Sequence, residues 1–188
     1  MKAFHFYDRE FYKKLWNLAI PIAMQNLVMS ALNLVDTVMI GRMGETEIAS
    51  VALANQVFFL LTLFLFGVSS GSAIFNAQFW GKGDVPNIRR VLGLSIFCGA
   101  SVAALFAVSA FLVPESILEL FTTDNRVINI GGSYLRIVCL SYVMTSISFC
   151  YSFTLRSTGN AKLPMIVSIT ALAINTLLNY TLIFGKFG

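Results

Sequence analysis

A single aspartate, Asp36, interrupts the first long apolar stretch of the sequence, and it is accompanied there by the amides and hydroxyls of Gln25, Asn26, Ser30, Asn33 and Thr37. On a helix these six side chains project into an arc of roughly 140°, leaving the other face to Leu27, Leu34, Val35 and Val38. A carboxylate within a membrane helix costs about 3 kcal/mol on insertion scales, so a purely structural bundle has reason to avoid one. Desolvation raises the pKa of such a group and a nearby cation lowers it, which lets one carboxyl alternate between holding a proton and holding a small cation. That exchange is the minimum machinery of an antiporter. The competing reading sets Asp36 close to the end of its stretch at Ile40, where it touches external water. Gln25 and Asn33, earlier in the same arc, argue against it.

Other chemistries find few residues to carry them. His5 is the only histidine and precedes the apolar stretches, which excludes a histidine proton relay inside them. Cys98, Cys139 and Cys150 are odd in number and show no CxxC or Cys/His spacing, so neither a disulfide nor a metal follows. There is no HExxH and no nucleophile paired with a base, so an enzyme is not expected, nor is a cofactor. Arg136 is the sole basic residue inside an apolar stretch and is expected to snorkel to the interface.

The elements that position Asp36 are transmembrane helices. Hydrophobic residues make up 57% of the chain and charged residues 12%, which marks lipid as the solvent. Five stretches, about 16–40, 48–80, 91–113, 127–155 and 163–185, each exceed the roughly 20 residues a spanning helix needs. The fold class is thus all-α, a polytopic bundle of five spans in the cell membrane. The second stretch is longer than the hydrocarbon layer requires and is expected to tilt, protrude or kink at Gly67 or Gly71. Lysines and arginines alternate between the connecting segments, nine on one side and three on the other, which places the N-terminus in the cytoplasm. The net charge of +4 is dispersed between apolar segments, so nucleic acid is not an expected partner.

Before the first span, Phe4, Phe6, Tyr7, Phe11, Tyr12 and Trp16 interleave with Lys13 and Lys14, as in a short segment lying among lipid headgroups. Residues 116–121 predict a short helix on the outer surface. The first stretch is too long for a cleavable signal peptide, and the odd number of spans ending at FGKFG suggests a truncated chain.

Polar and small residues recur at helical spacing inside the other spans: Asn55, Thr62, Ser69 and Asn76 in the second; Ser141, Thr145, Ser148 and Ser152 in the fourth; Ser168, Asn175 and Asn179 in the fifth. Gly67 with Gly71 forms a GxxxG, and Ser95, Gly99, Ala103 and Ala107 form a small stripe on the third span. Stripes of this kind are expected chiefly to mark helix packing.

In this order, PIAMQNLVMSALNLVDTVMIGRMG, SSGSAIFNAQFWGKGD, PESILELFTTDNRVINIGGSYLRI and LRSTGNAKLP leading to NTLLNYTLIFG resemble the multidrug and toxic compound extrusion (MATE) family over essentially the whole chain. The resemblance implies a protein of twelve helices in two pseudo-symmetric lobes, of which residues 1–188 are part of the amino-terminal lobe, with a sixth helix and a second lobe as missing partners. It implies export of amphipathic, often cationic drugs or metabolites in exchange for sodium ions or protons. Asp36 matches the acidic residue of the family's first helix and Asn175 an asparagine of the fifth that shares the cation site. Asn179 stands where some relatives carry a second aspartate, so this lobe has one carboxylate in place of two.

The expected coupling site is therefore Asp36 with Asn33, Asn175 and Asn179, for sodium or a proton. The expected lining of a substrate cavity is Gln25, Tyr134, Thr145 and Phe149, with Tyr142 as a further aromatic. A flippase for lipid-linked precursors is the rival within transport, disfavoured because Arg136 alone offers too little positive charge for a pyrophosphate. A non-transporting membrane subunit is the rival outside it.

Overall fold

The computed structural model describes residues 9–41 and 44–183, which form seven α-helices and no strand. They are α1 (Arg9–Ile40), α2 (Glu45–Gly81), α3 (Val85–Leu112), α4 (Pro114–Glu119), α5 (Asn125–Val138), α6 (Tyr142–Ser157) and α7 (Lys162–Ile183), with a 3₁₀ turn at Cys139–Ser141 joining α5 to α6. Four segments among the described residues are long and apolar enough to cross a bilayer: 9–35, 45–81, 85–112 and 125–157, the last comprising α5, the turn and α6. The fifth expected span is α7, whose 22 residues reach about 33 Å, against a hydrocarbon core of about 30 Å.

The helix ends follow local chemistry. At the end of α2 the amide of Asp84 reaches Phe79 O at 2.9 Å and that of Gly83 reaches Trp80 O at 3.0 Å. Gly83 takes a φ of 72°, the left-handed conformation that this Schellman closure requires. The side chain of Asp84 then caps α3, accepting the Asn87 amide at 3.2 Å and Asn87 Nδ2 at 2.6 Å, with Pro86 in the first turn. Asp124 caps α5 through the Arg126 amide at 2.9 Å.

Contacts divide the chain into two compact units. Within residues 36–158, α2, α3, α5 and α6 pack around Leu61, Leu65, Ala103, Leu135 and Tyr142. In lipid the helices gain no hydrophobic driving force from meeting, so close backbone approach and inter-helix hydrogen bonds carry the packing. The small stripe of α3 does this as expected, with Ser95, Gly99 and Ala103 buried. A Cβ on Gly99 would stand 3.3 Å from Cys150 Sγ and 3.5 Å from Leu65 Cδ2. The second unit comprises the described parts of residues 1–35 and 159–188, where α1 and α7 meet.

Three expectations are corrected. The GxxxG of α2 marks no contact among the described residues: a Cβ on Gly67 or Gly71 would meet nothing within 4 Å. The stripe Ser141, Thr145, Ser148, Ser152 is not the packed face of α6, which is Tyr142, Ser146, Cys150 and Thr154. The reason is that hydroxyls satisfy themselves locally, Ser141 donating to Val138 O at 2.7 Å and Thr145 to Ser141 O at 2.9 Å. Finally, Phe11, Tyr12 and Trp16 belong to no separate interfacial segment, because α1 begins at Arg9 and nothing between Arg9 and the span breaks a helix. Phe4, Phe6 and Tyr7 lie outside the described residues.

The short helix expected at 116–121 is α4. Leu118 buries completely beneath it, 2.9 Å from where a Cβ on Gly131 would stand, so α4 is seated in a notch that the two glycines Gly131 and Gly132 open in α5.

Candidate functional site

The polar arc of α1 separates into two parts. Gln25 is buried and donates Nε2 to Ser168 Oγ of α7 at 2.9 Å. Asn26, Ser30, Asn33 and Thr37 lie on the exposed side of the helix, while Pro21 and Val28 share the buried side with Gln25. An amide that reaches across to a hydroxyl on another helix is the kind of inter-helix bond that fixes register in lipid.

Ser168, Asn175 and Asn179 follow at i, i+7 and i+11, so they share one face of α7. Asn175 is half-buried. Asp36 and Asn179 belong to α1 and α7 by their backbone, and their side chains lie outside the described residues.

The cavity candidates fall in both units. Gln25 is in the unit formed by α1 and α7, whereas Tyr134, Thr145 and Phe149 are in the body of residues 36–158. Tyr134 is half-buried and packs against the core, and Tyr142 is wholly buried with its ring 5.7 Å from that of Phe58. Thr145 spends its hydroxyl on its own helix. Phe149 stacks on Phe153 with centroids 5.0 Å apart, Phe153 meets Phe66 edge-on at 5.7 Å, and the Arg156 guanidinium lies 5.6 Å from the Phe153 centroid. The aromatic cluster thus already holds a protein cation at one end.

Two features escape sequence reasoning. A buried polar ladder joins α2 to α3, α5 and α6: Ser50 Oγ shares its proton between Thr46 O on its own helix at 2.7 Å and Val127 O of α5 at 3.2 Å, Ser69 Oγ lies 3.8 Å from Cys150 Sγ, Cys150 Sγ donates to Ser95 O at 3.4 Å, and Asn76 Nδ2 donates to Thr154 Oγ1 at 3.0 Å. The heptad Ser69 and Asn76 was the available signal, but its partners were not readable. Arg136 also acquires a partner: Nη2 lies 2.9 Å and 3.2 Å from the two carboxylate oxygens of Glu115, fastening α4 to α5.

Long apolar helices, self-satisfied hydroxyls and an inter-helix polar network together define a multi-pass membrane protein. The family model MatE matches residues 21–181, and the chain belongs to that family. It is 31% identical over 170 residues to the probable multidrug resistance protein YoeA of Bacillus subtilis, covering 90% of this chain and 37% of that protein. It is 29% identical to the probable multidrug resistance protein NorM of Thermotoga maritima, over 95% of this chain and 39% of the relative. The multidrug resistance protein PmpM of Pseudomonas aeruginosa is also 29% identical, over 94% of this chain and 37% of its own length. A solved structure, described as the outward-facing conformation of a multidrug resistance MATE family transporter of the MOP superfamily, superposes with a TM-score of 0.84 at 18% identity, over 93% of this chain and 39% of that one. That likeness establishes the fold. The chain spans under two-fifths of the length of these relatives.

Proposed function

We propose that the chain is part of the amino-terminal lobe of a cation-coupled antiporter that exports amphipathic, cationic compounds by alternating access. Asp36, with Asn33, Asn175 and Asn179, is the coupling site in this reading. The observation that supports it best is the hydrogen bond between Gln25 and Ser168. The first and fifth spans of a multi-pass protein run in the same direction, so residues equally far beyond that bond lie at the same depth. Asp36 is eleven residues beyond Gln25, and Asn179 is eleven beyond Ser168. Eleven residues make about three helical turns, which returns each helix to the same face. Counted along each helix from the bonded pair, positions 36 and 179 are equally distant, which supports assigning them to one site.

Coupling then follows from linkage: a site whose occupancy by sodium or a proton changes the affinity of the cavity for substrate has its own affinity changed by substrate in the same ratio. One carboxylate with three amides suits a desolvated sodium ion as well as a proton, and the two are separated by experiment. In the full-length protein, dye efflux is measured against imposed sodium and pH gradients for the parent and Asp36→Asn. The expected result is loss of the efflux driven by one gradient or both. Parent-like efflux under both gradients refutes the assignment. The flippase reading is weakened further because Arg136 is committed to Glu115.

A further inference from the structure

We propose that the turn between α2 and α3 is a binding site for the headgroup of an anionic phospholipid. Lys82, Arg89 and Arg90 are exposed around this turn, and none forms an ion pair among the described residues. Arg90 Nη1 leans on Asn87 Oδ1 at 3.2 Å, which directs the guanidinium without neutralising it. The only carboxylate in residues 48–114 is Asp84, and both its oxygens are occupied by Asn87. A fourth cation stands at the same end of the body, because the bond from Asn76 to Thr154 sets the last turn of α6, with Arg156, beside the last turn of α2.

The surroundings are those of a headgroup and not of a water-soluble anion. Trp80 is 52% exposed two residues before Lys82, and Val85 is exposed at the start of α3, so the cations are bracketed by an indole that favours the lipid interface and an apolar side chain. Immediately after Arg90 the sequence turns apolar, which puts the two arginines where acyl chains give way to phosphates. The Schellman closure and the Asp84 cap hold the turn in one conformation, so little ordering is required on binding. Each juxtamembrane cation raises attraction to an anionic surface about fivefold.

The test uses the full-length protein with Trp16 and every other tryptophan except Trp80 replaced by phenylalanine, in vesicles of brominated phosphatidylglycerol or brominated phosphatidylcholine diluted into unlabelled phosphatidylcholine. Quenching of Trp80 should reach half its maximum at a roughly tenfold lower fraction of the anionic lipid. The preference should vanish in Lys82→Gln/Arg89→Gln/Arg90→Gln and survive in Arg89→Lys/Arg90→Lys, with helicity by circular dichroism unchanged in both. Equal quenching by the two lipids in the parent overturns the proposal, as does a preference that persists in the glutamine variant. Loss of the preference on adding about ten millimolar inorganic phosphate also overturns it, since that result identifies a free-anion site.

Discussion

Replacing Asn76 by leucine should stabilise the body of residues 36–158, although it deletes an inter-helix hydrogen bond. Asn76 is wholly buried between α2 and α6 and gives Nδ2 to Thr154, but its Oδ1 has no hydrogen-bond partner among the described residues. An inter-helix bond of this type is worth about 0.6 kcal/mol in a bilayer, with an upper value of about 1.7. A buried carbonyl left unpaired costs about 1–3 kcal/mol. Leucine keeps the branched outline, removes both terms and leaves only the hydroxyl of Thr154 short of a donor. The net gain is about 1 kcal/mol. Thr154→Val acts in the opposite direction, because it strands Nδ2 beside an already stranded Oδ1 and should cost about 1–3 kcal/mol. Unfolding in mixed micelles of increasing SDS fraction, followed by circular dichroism, reads both. If Asn76→Leu proves more harmful than Thr154→Val, the orphan-carbonyl reasoning is wrong and the amide has a second partner.

Three further outcomes are expected by the same assay. Gly99→Val should destabilise by about 1–3 kcal/mol, because its Cβ already crowds Cys150 Sγ at 3.3 Å and its two methyls must fit beyond that, whereas Gly67→Ala and Gly71→Ala, in open space, should each stabilise by about 0.5–1 kcal/mol. Breaking the Arg136–Glu115 pair with Glu115→Gln should cost under about 1 kcal/mol, since the two side chains are 48% and 40% exposed, and the cost should shrink further in high salt.

The all-α, multi-pass architecture was legible because apolar length has one meaning in lipid, and the observed helices lie within about three residues of the expected stretches except at the N-terminal sides of the first and third, which begin seven and six residues earlier. The packed face of α3 was legible too, since Ser95, Gly99 and Ala103 leave room for a neighbouring backbone to approach. The packed face of α6 was not. Lipid is as apolar as a protein interior, so hydrophobicity does not separate the two sides, and Ser141 and Thr145 quench their own polarity on the helix backbone. The same ambiguity misled the reading of Gly67 and Gly71. Of the residues expected to act, Asp36 stood out in the proposed coupling site by charge alone, and Gln25, expected in the cavity lining, by its place on the same arc. The pairing of Gln25 with Ser168 required coordinates, because 143 positions separate them in sequence.

The length of α2 has a mechanical consequence. Ser50 fastens it to α5 and Asn76 fastens it to α6, and those two anchor points are about 39 Å apart along a continuous helix, nearly the full thickness of a bilayer with its headgroups. A beam pinned close to both ends cannot let one end swing while the other stays. Within residues 36–158, α5 and α6 are therefore both tied to one helix over most of its length, so the two ends of this body resist sliding past one another.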